Sequence, residues 1–289
     1  MAHDAGRQLN LSAALLALSV LADSAVEHYR GSFNNRAMYI PLASAAGALA
    51  ASVYGALDKG GGRHRGRDIL YGLSAATGLA GLAFHTYNIT KRPGGFSWLN
   101  LFYAAPIGAP AALVLAGLLG RGAEKTRALS KPGAKALAKT IPAAASARPS
   151  RGAPSSQDVG RLVAAVSSLG LFGTTAEAAL LHFRGAFQNP AMVLPVTLPP
   201  VAGALIGSAA IAPRRAPRRL TRLWLRLTAM LGFAGVGFHA YGVSRAMGGW
   251  RNWSQNLLNG PPLPAPPSFT GLALAGLAAL GLIEGPKDA

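Results

Sequence analysis

Eight long apolar segments follow one another along the chain, and they constrain its fold more than any other feature. A helix needs about 20 mostly apolar residues to cross the hydrocarbon core of a bilayer. The segments are Leu11–His28, Met38–Leu57, Ile69–Tyr87, Leu99–Gly120, Leu162–Phe183, Met192–Ala212, Leu220–Tyr241 and Ser268–Ile283. They are rich in Ala, Leu and Gly, and small residues let helices approach closely in lipid. The sequence therefore predicts an all-α integral membrane protein with about eight transmembrane helices.

The charged residues are few and unevenly distributed. Only 13% of the 289 residues are charged and the mean hydropathy is +0.29, whereas a soluble domain carries about 25% charged residues. If the eight segments alternate in direction, 21 of the 28 Lys and Arg lie on one side of the membrane and 7 on the other. This bias follows the positive-inside rule. We therefore expect a multi-pass protein of a bacterial-type inner membrane, with both termini cytoplasmic, the lipid bilayer as its surroundings and no nucleic acid as a partner.

Two motifs occur twice. HYRGSFNNRAM begins at His28 and recurs as HFRGAFQNPAM from His182, with seven of eleven positions identical. AGLAFHTY (80–87) recurs as AGVGFHAY (234–241), again at an offset of 154 residues. Each half then holds four segments, an even number, so both halves enter the membrane in the same orientation and form a parallel repeat. The first segment is expected to be retained rather than cleaved as a signal peptide, because its end carries the recurring motif.

These matches predict an internal duplication with three parts. Residues 1–120 form the first four-helix repeat, 121–159 a basic linker rich in Ala, Pro and Ser, and 160–289 the second four-helix repeat. The linker composition is typical of a flexible cytoplasmic segment, and a basic helix lying on anionic lipid is the alternative.

Four of the six histidines belong to the repeated motifs. His28 and His85 come near the ends of the first and third segments, and His182 and His239 occupy the same places in the second half, 57 residues apart in both. The first and third segments run in the same direction, so the two rings of each half lie near one membrane face, the outer one by the charge count. Two neutral imidazoles that face each other across a helix bundle are typical axial ligands of a b-type haem. We therefore expect two haems b, each with the two histidines of one half as iron ligands.

The neighbouring residues suit such a cofactor. Arg30 and Arg184 lie two residues beyond the first histidine of each half, where a guanidinium group could bind a haem propionate. Glycines are expected to leave room for the macrocycle, namely Gly31, Gly81, Gly185 and Gly235. Aromatic residues are expected to line it, namely Tyr29, Phe84, Tyr87, Phe183, Phe238 and Tyr241.

The function that these residues predict is electron transfer by a membrane subunit of an oxidoreductase complex. A periplasmic dehydrogenase or cytochrome would be its partner, quinone a possible further acceptor, and no residue of this chain would be catalytic. Glycine-rich phosphate-binding fingerprints are absent. Because the chain has no cysteine, it cannot supply thiolate ligands to a metal or an iron–sulfur cluster.

Other interpretations remain open. Asp23 aligns with Glu177, while Glu27 is an additional acid whose counterpart is Leu181. Carboxylates and histidines together can bind a transition metal, or they can bind a cation or relay protons in a transporter. The histidines could instead have only a structural role, in which each ring bonds a neighbouring backbone carbonyl. The loops that carry Trp98, Trp250 and Trp253 could lie among lipid headgroups or cover the histidine sites.

Overall fold

In a computed structural model, the chain is helical throughout the part that the structure describes, residues 2–60, 62–103, 106–129 and 155–285. These ranges contain no β-strand. Their α-helices, in chain order, are α1 (Ala2–Arg30), α2 (Tyr39–Leu57), α3 (Arg65–Thr90), α4 (Trp98–Tyr103), α5 (Gly108–Leu129), α6 (Ser156–Arg184), α7 (Leu194–Ile211), α8 (Arg218–Arg245), α9 (Trp253–Asn259) and α10 (Pro267–Glu284).

Seven helices within the described ranges are long and apolar enough to cross a membrane, and they indicate a membrane protein. They are α1, α2, α3, α6, α7, α8 and α10. The predicted all-helical membrane fold is therefore confirmed at this level, and every one of these helices overlaps a predicted segment.

The fourth predicted segment, Leu99–Gly120, differs from the others. The structure divides it into α4, which ends at Tyr103, and α5, which begins at Gly108. Pro106 lies between them, and proline disfavours a helical conformation in the residue before it and lacks the N–H that a continuous helix needs. Helix α5 then continues to Leu129 through four charged residues, Arg121, Glu124, Lys125 and Arg127. These charges separate α5 from the seven apolar helices, so an eighth crossing remains a prediction.

Both helices that flank the predicted linker reach into it. Helix α5 ends at Leu129 and α6 begins at Ser156, where Ser155 and Asp158 form a capping box. The central part of the linker, residues 130–154, lies outside the described residues.

The helices pack as two four-helix groups that share a central core. In the first half, α1 and α3 each pack against both α2 and α5, so α1 and α3 occupy opposite corners. In the second half, α6 and α8 occupy opposite corners in the same way, each packed against α7 and α10. The two halves meet where α1 packs on α10 and α5 on α6. Helix α10 lies deepest, because 72% of its most apolar 18-residue stretch is buried. Helices α3 and α8 are outermost, since only 17% of the corresponding stretch is buried in each.

The two ends of the bundle differ in their chemistry. We call the end where α1, α3, α6 and α8 terminate the histidine end, because it holds His28, His85, His182 and His239. We call the opposite end of the first half the arginine end, because Arg67 and Arg127 are buried there beside Glu124.

Candidate functional site: two histidine pairs

His28 and His85 are brought together at the histidine end of the first half. Both rings are half-buried and lie within electrostatic reach of each other. The His28 Nδ1 lies 2.7 Å from the carbonyl oxygen of Met38, just before α2. The His85 Nδ1 bonds the carbonyl oxygen of Pro106, just before α5. The two rings therefore extend from helices at opposite corners of the four-helix group. Each ring is hydrogen-bonded to the loop that leads into a neighbouring helix, α2 or α5.

His182 and His239 form the corresponding pair in the second half. Their rings are also half-buried and within electrostatic reach of each other. The His182 Nδ1 lies 2.8 Å from the Met192 oxygen, and the His239 Nδ1 lies 2.7 Å from the Pro262 oxygen. Each half therefore has the same four groups, two imidazoles and two carbonyls, in the same pairing.

These hydrogen bonds determine the tautomer of each ring. A carbonyl oxygen only accepts hydrogen bonds, so each Nδ1 must carry the proton and donate it. In a neutral imidazole the Nε2 then keeps its lone pair. Histidines that bind metals nearly always donate their other ring N–H in this way, to a carbonyl, a carboxylate or a water. The structural role that the sequence left open is therefore present, and it leaves Nε2 of all four rings available for a ligand.

The loop after the first histidine of each half is strained. Ser32 and Phe33 have φ of 55° and 46°, and Ala186 and Phe187 repeat these two values. Residues other than glycine in the left-handed region cost about 1–3 kcal/mol each and cluster at functional sites. The strain brings the phenyl rings to the histidines, because Phe33 lies edge-on to His28 at 6.2 Å and Phe187 to His182 at 6.1 Å.

Most of the letters shared by the two copies of the first motif have a role in this loop. Asn35 Oδ1 accepts the N–H of Ala37 at 2.9 Å and so caps the turn that leads to Met38. A Cβ placed on Gly31 would lie 3.1 Å from Met38 Cε, and a Cβ placed on Gly185 would lie 3.1 Å from Met192 Cε. His, Gly, Phe, Asn, Ala and Met are thus explained by one loop. The arginine is the shared residue to which that loop gives no role.

The second loop of the histidine end is also built twice. Asn100 Nδ2 donates to Gly95 O at 2.7 Å, and Asn256 Nδ2 donates to Gly249 O at 2.8 Å. Both asparagines are buried, at 6% and 7% exposure. Two successive glycines adopt positive φ in each loop, at 94–95 and 248–249. Each loop precedes a proline in the chain, Pro106 or Pro262, whose carbonyl is bonded by the second histidine of the pair.

Arg30 and Arg184 lie at equivalent positions but have different partners. Arg30 Nη1 forms an ion pair with Glu27 Oε1 at 2.8 Å, within α1. The Arg184 guanidinium lies over the ring of Tyr103 at 5.0 Å. Tyr103 belongs to α4 of the other half, and α4 packs on α6 just as α9 contacts α1. Each short helix therefore reaches across to the first helix of the opposite half.

The glycines and aromatic residues do not have the roles that the sequence predicts. A Cβ on Gly81 would lie 3.1 Å from Pro110 Cβ, and one on Gly235 would lie 2.8 Å from Pro266 Cβ. These glycines therefore let neighbouring protein pack closely, as Gly31 and Gly185 do, and leave no space for a ring. The six aromatic residues are exposed on the outside of the bundle, namely Tyr29, Phe84, Tyr87, Phe183, Phe238 and Tyr241. In a membrane helix, glycine is typical of close helix packing as well as of a cofactor pocket. Aromatic residues are likewise typical of a lipid-facing surface as well as of a cofactor lining.

Among the described residues, the acids do not join the histidines in a metal-binding cluster. Asp23 of α1 and Glu177 of α6 are within electrostatic reach of each other, where the two halves meet, and the Glu177 carboxylate lies against Gly108 at the start of α5. Throughout the described ranges, no group of three or more His, Cys, Asp or Glu is arranged to hold a metal ion. The arrangement thus offers pairs of imidazoles rather than a cluster of mixed ligands.

Sequence reasoning allowed for a bond from each histidine to a backbone carbonyl, but it did not identify the carbonyls, which belong to Met38, Met192, Pro106 and Pro262. Backbone carbonyls carry no residue-type signal, although all four residues belong to matched positions of the two halves. No protein-family model, no curated protein and no solved structure matches this chain.

Proposed function

We propose that each half of the chain binds one b-type haem between its two histidines, and that the protein transfers electrons as a multi-pass membrane subunit. The observation that carries this proposal is the repeated tautomer: four rings, each with Nδ1 donating to a carbonyl and Nε2 available, grouped in two pairs. A haem iron accepts one imidazole nitrogen from each face, and cofactors of helix bundles are held by side chains of facing helices.

The corner positions of the helices support the same proposal. Helices α1 and α3 each pack against α2 and α5, so the two imidazoles come from opposite corners of one four-helix group. A haem between them would have to displace neighbouring protein, because Met38 and Pro110 fill the space beside Gly31 and Gly81. The positive-φ loops add support, because strain at four non-glycine residues persists only where the surroundings hold it and is most common at functional sites. When bound, the haem would supply a one-electron redox centre.

An internal duplication accounts for this symmetry. The strained residues, capping asparagines and histidine hydrogen bonds all recur at offsets of 154 to 156 residues, and the helix bounds recur at offsets of 153 to 159 residues. If the membrane topology follows the charge bias, both haems lie near the outer face. Electrons would then be exchanged with a periplasmic dehydrogenase or cytochrome, and quinone in the membrane is a candidate for the other partner.

The test is the optical spectrum of the purified protein in its oxidised and reduced states. We expect two equivalents of haem b in the wild type, and one in His28→Asn and in His182→Asn. The asparagine amide can still donate to the Met38 or Met192 carbonyl, but it has no Nε2, so loss of haem would report on ligation rather than on folding. His64→Ala is the matched control, since His64 is exposed at the arginine end, and it should keep both haems. Wild-type protein without haem would contradict the proposal.

A transporter is the second candidate, and one observation favours it. Asp23 and Glu177 come from opposite halves and approach each other where the halves meet, and acids within membrane helices are usually functional. Proton- or cation-coupled solute uptake by colourless protein in vesicles, lost in Asp23→Asn and Glu177→Gln, would support this function in place of electron transfer.

A further inference from the structure

The second half concentrates positive charge where α7 ends and α8 begins. Residues 212–226 hold six arginines and no acidic residue, whereas the aligned residues 58–72 of the first half hold four basic and two acidic residues. One of the six arginines, Arg222, forms an ion pair with Glu284 of α10. The other five are exposed, and we call them the basic patch, namely Arg214, Arg215, Arg218, Arg219 and Arg226.

In the first half, carboxylates of the protein itself hold the equivalent cations. Asp68 pairs with both Arg63 and Arg121, and Arg67 is buried between two further acids. The position of Asp68 is occupied in the second half by Arg222. In the part of the chain that the structure describes, no carboxylate lies at ion-pair distance from an arginine of the basic patch. The patch therefore presents its charge outward, to groups beyond the described chain.

Arg226 lies on a face of α8 that also carries exposed apolar side chains. Arg219, Leu223, Arg226 and Met230 follow one another at the spacing of neighbours on one helix face, and all four are exposed. Since α8 is one of the two outermost helices, this face is turned to the lipid. Arg226 lies eight residues beyond Arg218, which is about 12 Å further along the helix axis. A guanidinium group at this depth is costly in hydrocarbon and extends its long side chain to the interface, where lipid phosphates lie.

A groove between α6 and α7 opens beside the basic patch. It has a volume of about 440 Å³ and is lined by Asp158, Arg161, Leu162, Ala165, Ala210 and Ile211. Ile211 is the last residue of α7 and is 81% exposed, and Arg214 follows three residues later. The carboxylate of Asp158 lies within electrostatic reach of Arg161, which offsets its charge. The groove is therefore an apolar surface for a hydrocarbon chain, next to arginines without an acidic partner.

We propose that the basic patch is a binding site for anionic phospholipids of the surrounding bilayer, in the leaflet that the charge bias makes cytoplasmic. The lipid phosphate accepts charge-assisted hydrogen bonds from the arginines, while Ile211 and Leu223 contact the acyl chains. Basic clusters beside a membrane helix recognise anionic headgroups in this way, and each Lys or Arg near the surface raises the affinity about fivefold. The proposal does not depend on haem binding, because the patch and the histidines lie at opposite ends of the bundle.

The experiment measures lipid binding to the purified full chain in a neutral detergent. Delipidated protein is titrated with phosphatidylglycerol or with phosphatidylcholine, and native mass spectrometry gives the dissociation constant of each bound lipid. Wild type should bind phosphatidylglycerol at least about tenfold more tightly than phosphatidylcholine. A patch variant, in which all five arginines are changed to Gln, should lose this preference. Arg226→Gln alone should weaken phosphatidylglycerol binding about fivefold, and Arg226→Lys should weaken it less.

A matched control removes the same amount of charge from the other end of the molecule. The control variant changes five exposed cations of the histidine end to Gln, namely Arg36, Lys91, Arg92, Arg245 and Arg251. It should keep the preference for phosphatidylglycerol, because these cations are spread over three loops. The unfolding temperature of each variant in detergent shows whether it is folded.

Each outcome decides the proposal. A preference that is lost in the patch variant and kept in the control variant supports it. An equal loss in both variants would assign lipid binding to total charge and overturn it, as would wild-type protein without a preference. Displacement of phosphatidylglycerol by inorganic phosphate at constant ionic strength would also overturn it, since the patch would then be a site for soluble phosphate. If the patch variant does not fold, unchanged affinity in Arg226→Gln overturns the proposal and a loss that Arg226→Lys restores supports it.

Discussion

The two halves of the molecule are similar at one end of the bundle and different at the other. At the histidine end, both halves share the strained backbone angles and the bonds from histidine to carbonyl, although Arg30 and Arg184 have different partners. At the other end, the first half buries a network of charges, whereas the second half has small or apolar residues at the aligned positions and a separate ion pair between Arg222 and Glu284. Since both halves fold into the same helices, the common scaffold does not require the charged network. What the two halves keep in common is the histidine end, and this points to where function lies.

The arginine end is an ion-pair network within the first half. Arg67 Nε donates to Glu124 Oε1 at 2.7 Å, and Arg67 Nη1 donates to Asp58 Oδ2 at 2.8 Å. Arg127 Nη1 donates to Gly60 O at 2.9 Å, and its Nη2 bonds the carbonyls of Gly55 and Asp58. Arg127 is therefore the cation that satisfies the end of α2 and the loop that follows.

The second half has small or apolar residues in these places. Ala212 aligns with Asp58, Thr221 with Arg67, Leu280 with Glu124 and Ile283 with Arg127. Thr221, Leu280 and Ile283 are buried, with at most 7% exposure. The desolvation cost of a buried ion pair often equals its Coulomb gain, so apolar residues of similar size can replace such a pair without loss of stability. Equivalent buried positions are therefore filled by paired charges in the first half and by small or apolar side chains in the second half.

The largest effect is expected when the network is broken on one side only. Glu124→Ala removes the acceptor of Arg67 and of the His64 N–H, which lies 2.6 Å from Glu124 Oε2. We expect the free energy of unfolding to fall by about 3 kcal/mol, because the buried guanidinium group of Arg67 loses its buried carboxylate and keeps only Asp58 as an ion-pair partner. Thermal and denaturant unfolding in detergent would measure this loss.

The control replaces the whole network with the residues of the second half. The combined variant Asp58→Ala, Arg67→Thr, Glu124→Leu and Arg127→Ile should recover most of the stability that Glu124→Ala loses. If the combined variant is no more stable than Glu124→Ala, the two halves are not interchangeable at this end and the comparison fails.

A smaller and equal effect is expected from the capping asparagines of the histidine end. Asn35 and Asn189 each accept a backbone N–H at 2.9 Å, from Ala37 and Ala191. Asn35→Ala and Asn189→Ala should each lower the free energy of unfolding by about 1 kcal/mol, the usual cost of losing a cap. Asn34→Ala is the control, because the second half has Gln188 at that position. A loss in only one half would show that the loops are less alike than their hydrogen bonds.

The smallest effect is a dependence on pH at Asp58, a position where the second half has Ala212. The hydrogen bond from Arg67, together with the Gly60 N–H and the charge of Arg127, lowers the pKa of Asp58 below its ordinary value of 3.8. A lowered pKa means that Asp58 contributes stability above pH 3.8 and that this contribution is lost as the pH falls through the folded-state pKa. Wild type should therefore be more stable than Asp58→Asn at neutral pH, and the difference should shrink in acid. A difference in unfolding temperature that stays constant with pH would argue against this role.

Much of the histidine end follows from patterns in the chain itself. The repeated letters identify four of the six histidines as equivalent pairs, and the direction of the helices places His28 and His85 at one end. In the structure the two rings of each half lie within electrostatic reach of each other, and their joint role in binding a cofactor stays a prediction. The sequence did not predict that Gly81 and Gly235 pack against Pro110 and Pro266, because a glycine in a helix favours close packing whatever the neighbour is.

The sequence alone determined the helices, their apolar lengths and the equivalence of the two histidine pairs. These properties depend on hydropathy and on spacing along one chain, which are local quantities. Only the tertiary structure decided that the Met38 and Pro106 carbonyls orient the rings, that α4 reaches α6, and that Glu124 meets Arg67 across 57 positions of sequence. Such contacts depend on which helix faces meet, and packing between distant segments determines that choice.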